Sequence, residues 1–231
     1  MKTNWLQDFL QIIYPKFCAG CGSDAISSSQ PFCLLCESKL PQTHFFKMKE
    51  NPITNIFKGR LSIENGGSAY YYTNDTAIQT LIYSMKYKED RNMGIYLGKL
   101  LGKKLKESDW FSQIDALVPL PLHKDKEKKR GYNQAELLCQ GISQISKCEI
   151  ITDAVIRNKA TTSQTHKSRT ERILAMEDKF ELKKTERLAG KHILLIDDLV
   201  TTGATLEFCG LEILKAADTK LSVATLGKSM H

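Results

Sequence analysis

The chain has 231 residues, of which 42% are apolar and 26% charged, a balance that fits one globular α/β domain plus a small module. No apolar run approaches ~20 residues, which excludes a membrane-spanning helix. The N-terminal apolar stretch, interrupted by Asp8 and lacking a small-residue cleavage site, does not read as a signal peptide. The formal charge of +7 suits a polyphosphate or nucleic-acid partner, and equally a merely soluble surface.

In chain order, Asn4 to Tyr14 reads as a short amphipathic helix with Trp5, Phe9 and Ile13 along one side. Its polar face is poor in lysine and arginine, so packing on the protein's own core fits better than a membrane surface. Pro15 ends it. Cys18-Ala-Gly-Cys21 and Cys33-Leu-Leu-Cys36 follow, separated by eleven residues. Two such knuckles place four thiolates around one tetrahedral Zn²⁺, with Gly20 and Gly22 easing the turn. Four cysteine ligands close the coordination sphere, so the expected zinc is structural. Cys139, Cys148 and Cys209 stand singly and read as small packing hydrophobes. The odd total of seven cysteines argues against a disulfide framework, and reduced thiols imply a cytoplasmic protein.

Pro41 to Lys58 is polar and aperiodic and reads as a linker. It divides an N-terminal helix and zinc-ribbon module (1–58) from a main domain (59–231). Arg60–Glu64 and Ser68–Thr73 are expected as strands flanking the turn Asn65-Gly66-Gly67. Asn74–Tyr87 and Ile95–Leu105 have helical apolar spacing. Asp115-Ala-Leu-Val-Pro-Leu-Pro-Leu-His123 is an apolar strand running into a stiff Pro-x-Pro loop. Lys124–Arg130 adds five basic and two acidic side chains, expected as a mobile cationic segment. A helix opens after Gly131, with Asn133 a candidate N-cap. Cys148–Arg157 reads as a strand, and Thr161–Arg172 as an exposed hydroxyl-rich, basic loop. Phe180–Leu182 and Leu221–Leu226 are further strands. Strands alternating with helices predict a mostly parallel sheet with helices on both faces.

The most specific stretch is His192-Ile-Leu-Leu-Ile-Asp-Asp-Leu-Val-Thr-Thr-Gly-Ala-Thr205. Four consecutive apolar residues, Ile193–Ile196, fit a strand buried on both faces. Asp197 and Asp198 follow, then the small-residue loop Thr201-Thr202-Gly203-Ala204-Thr205 and a helix from Leu206 to Ala217. Backbone N–H groups and a helix N-terminus there suit a phosphate, and Gly203 allows close approach. Carboxylates do not bind phosphate; sugar hydroxyls or a divalent cation are their partners. A sugar phosphate is therefore the expected ligand. A buried strand ending in a helix capped by Thr202 or Thr205 is the plain structural alternative.

Ile-Asp-Asp-Leu-Val-Thr-Thr-Gly-Ala-Thr is similar to the 5-phosphoribosyl-1-pyrophosphate (PRPP) motif of type I phosphoribosyltransferases. The resemblance implies that Asp197 and Asp198 hold the ribose hydroxyls as the catalytic acids, and that Thr201–Thr205 hold the 5′-phosphate. The larger pattern covers most of the chain. The two cysteine knuckles, Lys86-Tyr87, Val118–His123, Arg130-Gly-Tyr-Asn-Gln134, Gln164 with Glu171-Arg172, and the acidic motif together resemble the ComF family. This family joins a zinc ribbon to a type I phosphoribosyltransferase domain and is associated with natural competence, the import of single-stranded DNA. Ala175 and Lys167 depart from its pattern, where an asparagine and an apolar residue are usual. The purine-synthesis amidotransferases, similar in fold, carry an N-terminal glutaminase domain that this sequence does not show.

The resemblance implies PRPP binding with Mg²⁺. Pro121, Leu122, His123, Lys86 and Arg130 would lie on the pyrophosphate side, and Gln164 and Arg172 in a flexible loop closing over it. His123 fits a structural role equally. The expected chemistry is displacement of pyrophosphate at the anomeric carbon, assisted electrostatically and without a covalent nucleophile. The competing reading is a non-catalytic factor of the transformation machinery that binds single-stranded DNA or other competence proteins and keeps the PRPP site as a sensor. Phe45, Phe46 and Phe57 among Lys47, Lys49 and Lys58 could then stack bases along a cationic track, although aromatics of this kind more often pack such a ribbon onto the main domain. The acceptor and the oligomeric state are not written in these residues.

Overall fold

The apolar run Ile193–Ile196 lies at the centre of a five-stranded parallel sheet and is fully buried on both faces. The computed structural model describes residues 17–18, 20–24, 26, 30–73, 77–87, 90–157 and 180–230. The expected helix at 4–14 and the loop at 161–172, with Gln164 and Arg172, lie outside the described residues, as do Lys167 and Ala175. In chain order the elements are α1 (Leu34–Ser38), α2 (Pro52–Phe57), β1 (Gly66–Tyr72), α3 (Ala77–Tyr87), α4 (Arg91–Leu105), β2 (Ala116–Pro119), α5 (Lys124–Arg130), α6 (Gln134–Ser146), β3 (Glu149–Ile150), β4 (Val155–Arg157), β5 (Phe180–Leu182), β6 (His192–Val200), α7 (Ala204–Ile213) and β7 (Lys220–Ser229).

The large sheet has the order β1-β7-β6-β2-β3, all neighbours parallel, while β4 and β5 form a separate antiparallel pair. Side chains alternate across β6, as a strand requires. Leu194 and Ile196 pack with α3, α4 and α6 through Ile82, Met85, Leu97, Leu101 and Leu138. Ile193 and Leu195 pack on the other face with Phe57, Leu206, Cys209 and Ile213. The expected fold class holds: a parallel sheet, covered on both faces, behind a four-cysteine segment.

Four expectations are corrected. Arg60–Glu64 is not a strand and 65–67 is not a hairpin turn; Gly66 and Gly67 lie inside β1, parallel to β7. A Cβ on Gly67 would stand 2.4 Å from the Phe46 ring, so this glycine serves close approach rather than chain reversal. The single strand over 148–157 is two, because β3 pairs with β2 and the chain then turns at Asp153 to join β5. Lys124–Arg130 is helix α5 rather than a mobile loop, capped by His123 and closed by Gly131 at φ +74°. Residues 41–58, expected as a linker, are built into the core: Phe45, Phe46, Ile53 and Phe57 are all buried. Asn51 holds that segment, capping α2 and donating its amide to the Gly66 carbonyl at 2.8 Å. The phenylalanines are thus unavailable for stacking bases.

Helices α4 and α6 meet backbone to backbone at two glycines. A Cβ on Gly98 would stand 2.3 Å from the Leu138 carbonyl oxygen, and one on Gly141 2.2 Å from that of Ile95. Backbone cannot rotate out of the way, so the helices would have to part. Gly141→Ala should therefore destabilise by about 1–3 kcal/mol despite a gain in helix propensity of roughly 1 kcal/mol, read as a lower urea midpoint.

Candidate functional site

Neighbouring strands β2 and β6 connect in opposite directions across the sheet. From β2 the chain passes through α5 and α6 to β3 on one side; from β6 it passes through α7 to β7 on the other. In open α/β sheets, ligands bind at the crevice outside the carboxyl ends of strands that diverge in this way. In this sheet that position is bordered by the β6 end with Asp197 and Asp198, the Leu120–His123 loop after β2, and Thr201–Gly203 before α7.

Strand β2 stops at Pro119, opposite Ile196, whereas β6 continues to Val200 beside β7. Asp197 and Asp198 therefore lie within the strand, not after it, on a length whose β2 side is open. Being consecutive, they point to opposite faces. Asp198 is buried and its carboxylate meets the Lys86 ammonium of α3 at 2.7 Å. Asp197 remains partly exposed, and its Oδ1 accepts the Asp198 N–H at 2.8 Å. Burial, then the charge of Asp198, push the Asp197 carboxyl up to about 8, while Lys86 and Arg157 oppose that push. The half-buried Arg157 guanidinium lies 5.2 Å over the Phe180 ring, and burial lowers its pKa. Each carboxylate thus has a cation on its own side of the sheet.

The small-residue loop is shorter than its motif: Thr201–Gly203 form the loop, while Ala204 and Thr205 begin α7, two residues before the expected start. The N-cap is Gly203 at φ +77°, with no side-chain cap, so neither Thr202 nor Thr205 caps the helix. A Cβ on Gly203 would stand 2.5 Å from Ile56 and 3.1 Å from Phe57, so α2 packs directly under this loop. Arg60 braces it from the same segment, donating to the Thr202 carbonyl at 3.4 Å and pairing with Glu207. Thr201 and Thr202 are exposed.

On the β2 side, the Leu120 N–H donates to the Ile196 carbonyl at 2.8 Å, and the Asn133 amide donates to the Leu120 carbonyl at 3.0 Å. Asn133 also caps α6, as expected. His123 caps α5, its Nδ1 accepting the Asp125 N–H at 3.2 Å, which leaves Nε2 for other contacts. Pro121 and Leu122 line a cleft of about 140 Å³ with Val155, Ile156 and Arg157. Arg130, at the end of α5, donates to the Gln134 side chain at 2.9 Å. Lys86 therefore stands with the acidic pair, whereas His123 and Arg130 serve the ends of α5. Arg157 and Arg60 escaped sequence reading. The cue for Arg157 is a cation closing a short strand; Arg60, followed by no regular period, leaves no cue.

The cysteines form a second site. The Sγ atoms of Cys18, Cys21, Cys33 and Cys36 lie within 4.8 Å of one another. Cys18 Sγ accepts N–H bonds from Gly20 at 3.4 Å and Cys33 at 3.3 Å, the polarity a thiolate ligand needs. Four convergent sulfurs are a donor set suited to one tetrahedral ion. A Cβ on Gly20 would stand 2.9 Å from Cys36 Sγ and 2.7 Å from Phe32, so the knuckle admits no side chain there. Among the described residues this is the one group of three or more metal-ligating side chains.

A parallel sheet whose central strand carries an acidic pair, followed by a glycine-bearing loop and a helix N-terminus, with a four-cysteine cluster consistent with a zinc ribbon, is the architecture that the resemblance to type I phosphoribosyltransferases implies. No protein-family model matches the chain. Competence protein ComFC of Bacillus subtilis (strain 168) is 32% identical over 224 residues, 93% of this chain and 86% of its own length, and the chain belongs to this ComF family. Competence protein F of Haemophilus influenzae is 27% identical over 201 residues, 85% of this chain and 83% of that protein. DNA utilization protein YhgH of Escherichia coli (strain K12) is 30% identical over 131 residues, 55% of this chain and 57% of its own. Among solved structures, the glutamine PRPP amidotransferase from B. subtilis superposes with a TM-score of 0.44 at 13% identity, over 63% of this chain and 30% of that one, too loosely to carry an argument. No helix among the described residues is long and apolar enough to cross a membrane.

At Asp197 the folded state keeps a proton that the unfolded chain releases near pH 4, so this group's contribution to stability is full below that pH and lost as pH rises to about 8. Asp197→Asn should be more stable than wild type at pH 8, by about 1–2 kcal/mol or roughly 2–8 °C in Tm, with a smaller margin at pH 5. Thermal melts at the two pH values check this.

Proposed function

We propose that the chain binds PRPP at the β2/β6 crevice and that the site is laid out for phosphoribosyl transfer. The observation that carries this is the pair Asp197 and Asp198, set beyond the end of β2 and followed at once by the uncapped N-terminus of α7. In this reading the two carboxylates accept hydrogen bonds from the ribose 2- and 3-hydroxyls. Thr201, Thr202, Gly203, Ala204 and Thr205 supply N–H and hydroxyl donors to the 5′-phosphate. The pyrophosphate lies between Lys86 and the Pro121-Leu122-His123 backbone, with Arg130 behind it and Gln164 and Arg172 in the segment that follows Arg157. Mg²⁺ would enter with its ligand, whose phosphate oxygens are the hard donors it prefers. Mg²⁺ supplies charge neutralisation of the leaving group; the chain's own residues hold the sugar and the two anionic ends apart. The four cysteines hold a structural Zn²⁺ in the same reading.

A second reading has one observation in its favour: relatives are named for competence and for DNA utilization. In it the same site senses PRPP while the protein handles single-stranded DNA or another competence protein. The burial of Phe45, Phe46 and Phe57 leaves such a protein to bind DNA through charge rather than stacking on that segment.

Calorimetric titration of PRPP with Mg²⁺ into wild type should show binding that Asp197→Asn/Asp198→Asn abolishes; unchanged affinity in the double variant refutes the assigned roles. Release of labelled pyrophosphate then separates an enzyme from a sensor, and a salt series on DNA affinity reports whether phosphates are contacted, since such contacts weaken steeply as salt rises. For the cysteines, elemental analysis should find one zinc per chain in wild type, and Cys21→Ser should lower both zinc content and Tm.

A further inference from the structure

We propose that Tyr132 and Asn133 are positioning residues that hold Lys86 and the Leu120–His123 loop at one separation, so that a diphosphate is gripped in preference to a single phosphate; the ligand half of this rests on the PRPP reading above. Lys86 lies in the last turn of α3, where the final four carbonyls have no donor within the helix. The Tyr132 hydroxyl supplies one, donating to the Met85 carbonyl at 2.6 Å in a buried setting. A buried phenol needs such a partner, and this one fastens the turn that carries the ammonium. The ring itself is held by the Arg91 guanidinium at 5.6 Å, from the first residue of α4.

The next residue reaches the other way. Asn133 Oδ1 accepts the Ala135 N–H at 3.0 Å, and its Nδ2 donates to the Leu120 carbonyl at 3.0 Å. Leu120 in turn donates its N–H to Ile196 at 2.8 Å, one residue before the acidic pair, and Asp198 returns to Lys86 at 2.7 Å. Contacts therefore close a ring: Lys86, Met85, Tyr132, Asn133, Leu120, Ile196, Asp198 and Lys86 again. Adjacent residues tie the α3 end to one arm and the β2 loop to the other, so neither can drift alone. A ligand group spanning Lys86 and the 121–123 backbone depends on that spacing. A phosphate held at Thr201–Thr205 does not.

The test uses the full chain with Tyr132→Phe, which drops one hydroxyl, and Asn133→Ser, which keeps a capping oxygen but loses the amide donor. Hydrogen exchange on the ligand-free protein should show faster exchange in both residues 83–87 and residues 120–123 for either variant, with β1 and α7 unchanged. Calorimetry should show PRPP with Mg²⁺ weakened about tenfold and ribose 5-phosphate changed by less than about twofold, the order expected for one lost hydrogen bond felt by one subsite. Exchange altered only on the substituted residue's own side, or equal weakening of both ligands, overturns the proposal. Should wild type bind neither ligand, the PRPP reading falls and the exchange pattern alone decides the positioning role.

Discussion

The structure turns on a mismatch in strand length. β6 runs to Val200 while β2 ends at Pro119, opposite Ile196. Had the two strands ended together, Asp197 and Asp198 would be enclosed between neighbours, and two carboxylates in a dry sheet would need full compensation. Because β2 gives out, the last half of β6 is paired with β7 on one side and has no strand partner among the described residues on the other. The acids are thus left without a second strand beside them, and the proline-bearing Leu120–His123 loop follows at the level where they begin. One strand thus serves as core at its start and as site at its end.

Electrostatics follow from that placement. Consecutive strand positions send the two side chains to opposite faces, so Lys86 can pair directly with Asp198 while it acts on Asp197 only through its charge. Lys86 meets Asp198 from α3, and Arg157 acts on Asp197 from β4, beside Cys209 of α7. Asp197 still prefers to keep its proton near neutral pH. Hydroxyl donors placed against it would favour the ionised form, which is the direction expected of a site completed by its ligand.

Much of this was legible from residue order, and the rest was not for identifiable reasons. Ile193–Ile196, Asn133 and the cysteine spacing announce themselves because their physics is local: a two-sided strand, a cap, a ligand geometry. Gly66-Gly67 misled because a glycine pair reads as a turn, while the actual constraint is a Phe46 ring some twenty residues earlier in the chain. Lys124–Arg130 looked like a solvated loop because its charge pattern outweighed the cap at His123 and the left-handed glycine at its end. Arg60 and Arg157 act on partners forty or more residues away in sequence, through contacts that no local pattern encodes.

The outer edge of the large sheet is finished by residues 41–43. Pro41 and Thr43 exchange backbone hydrogen bonds with Tyr71 and Ala69, and Gln42 bridges Tyr70, along the side of β1 that faces away from β7. On the opposite margin β3 is only two residues long. Among the described residues one margin is covered by a strap and the other is short, both recognised defences against edge-to-edge assembly. A cut at residue 59 would remove that strap and leave the N–H of Tyr71 and the carbonyl of Ala69 without the partners they have here.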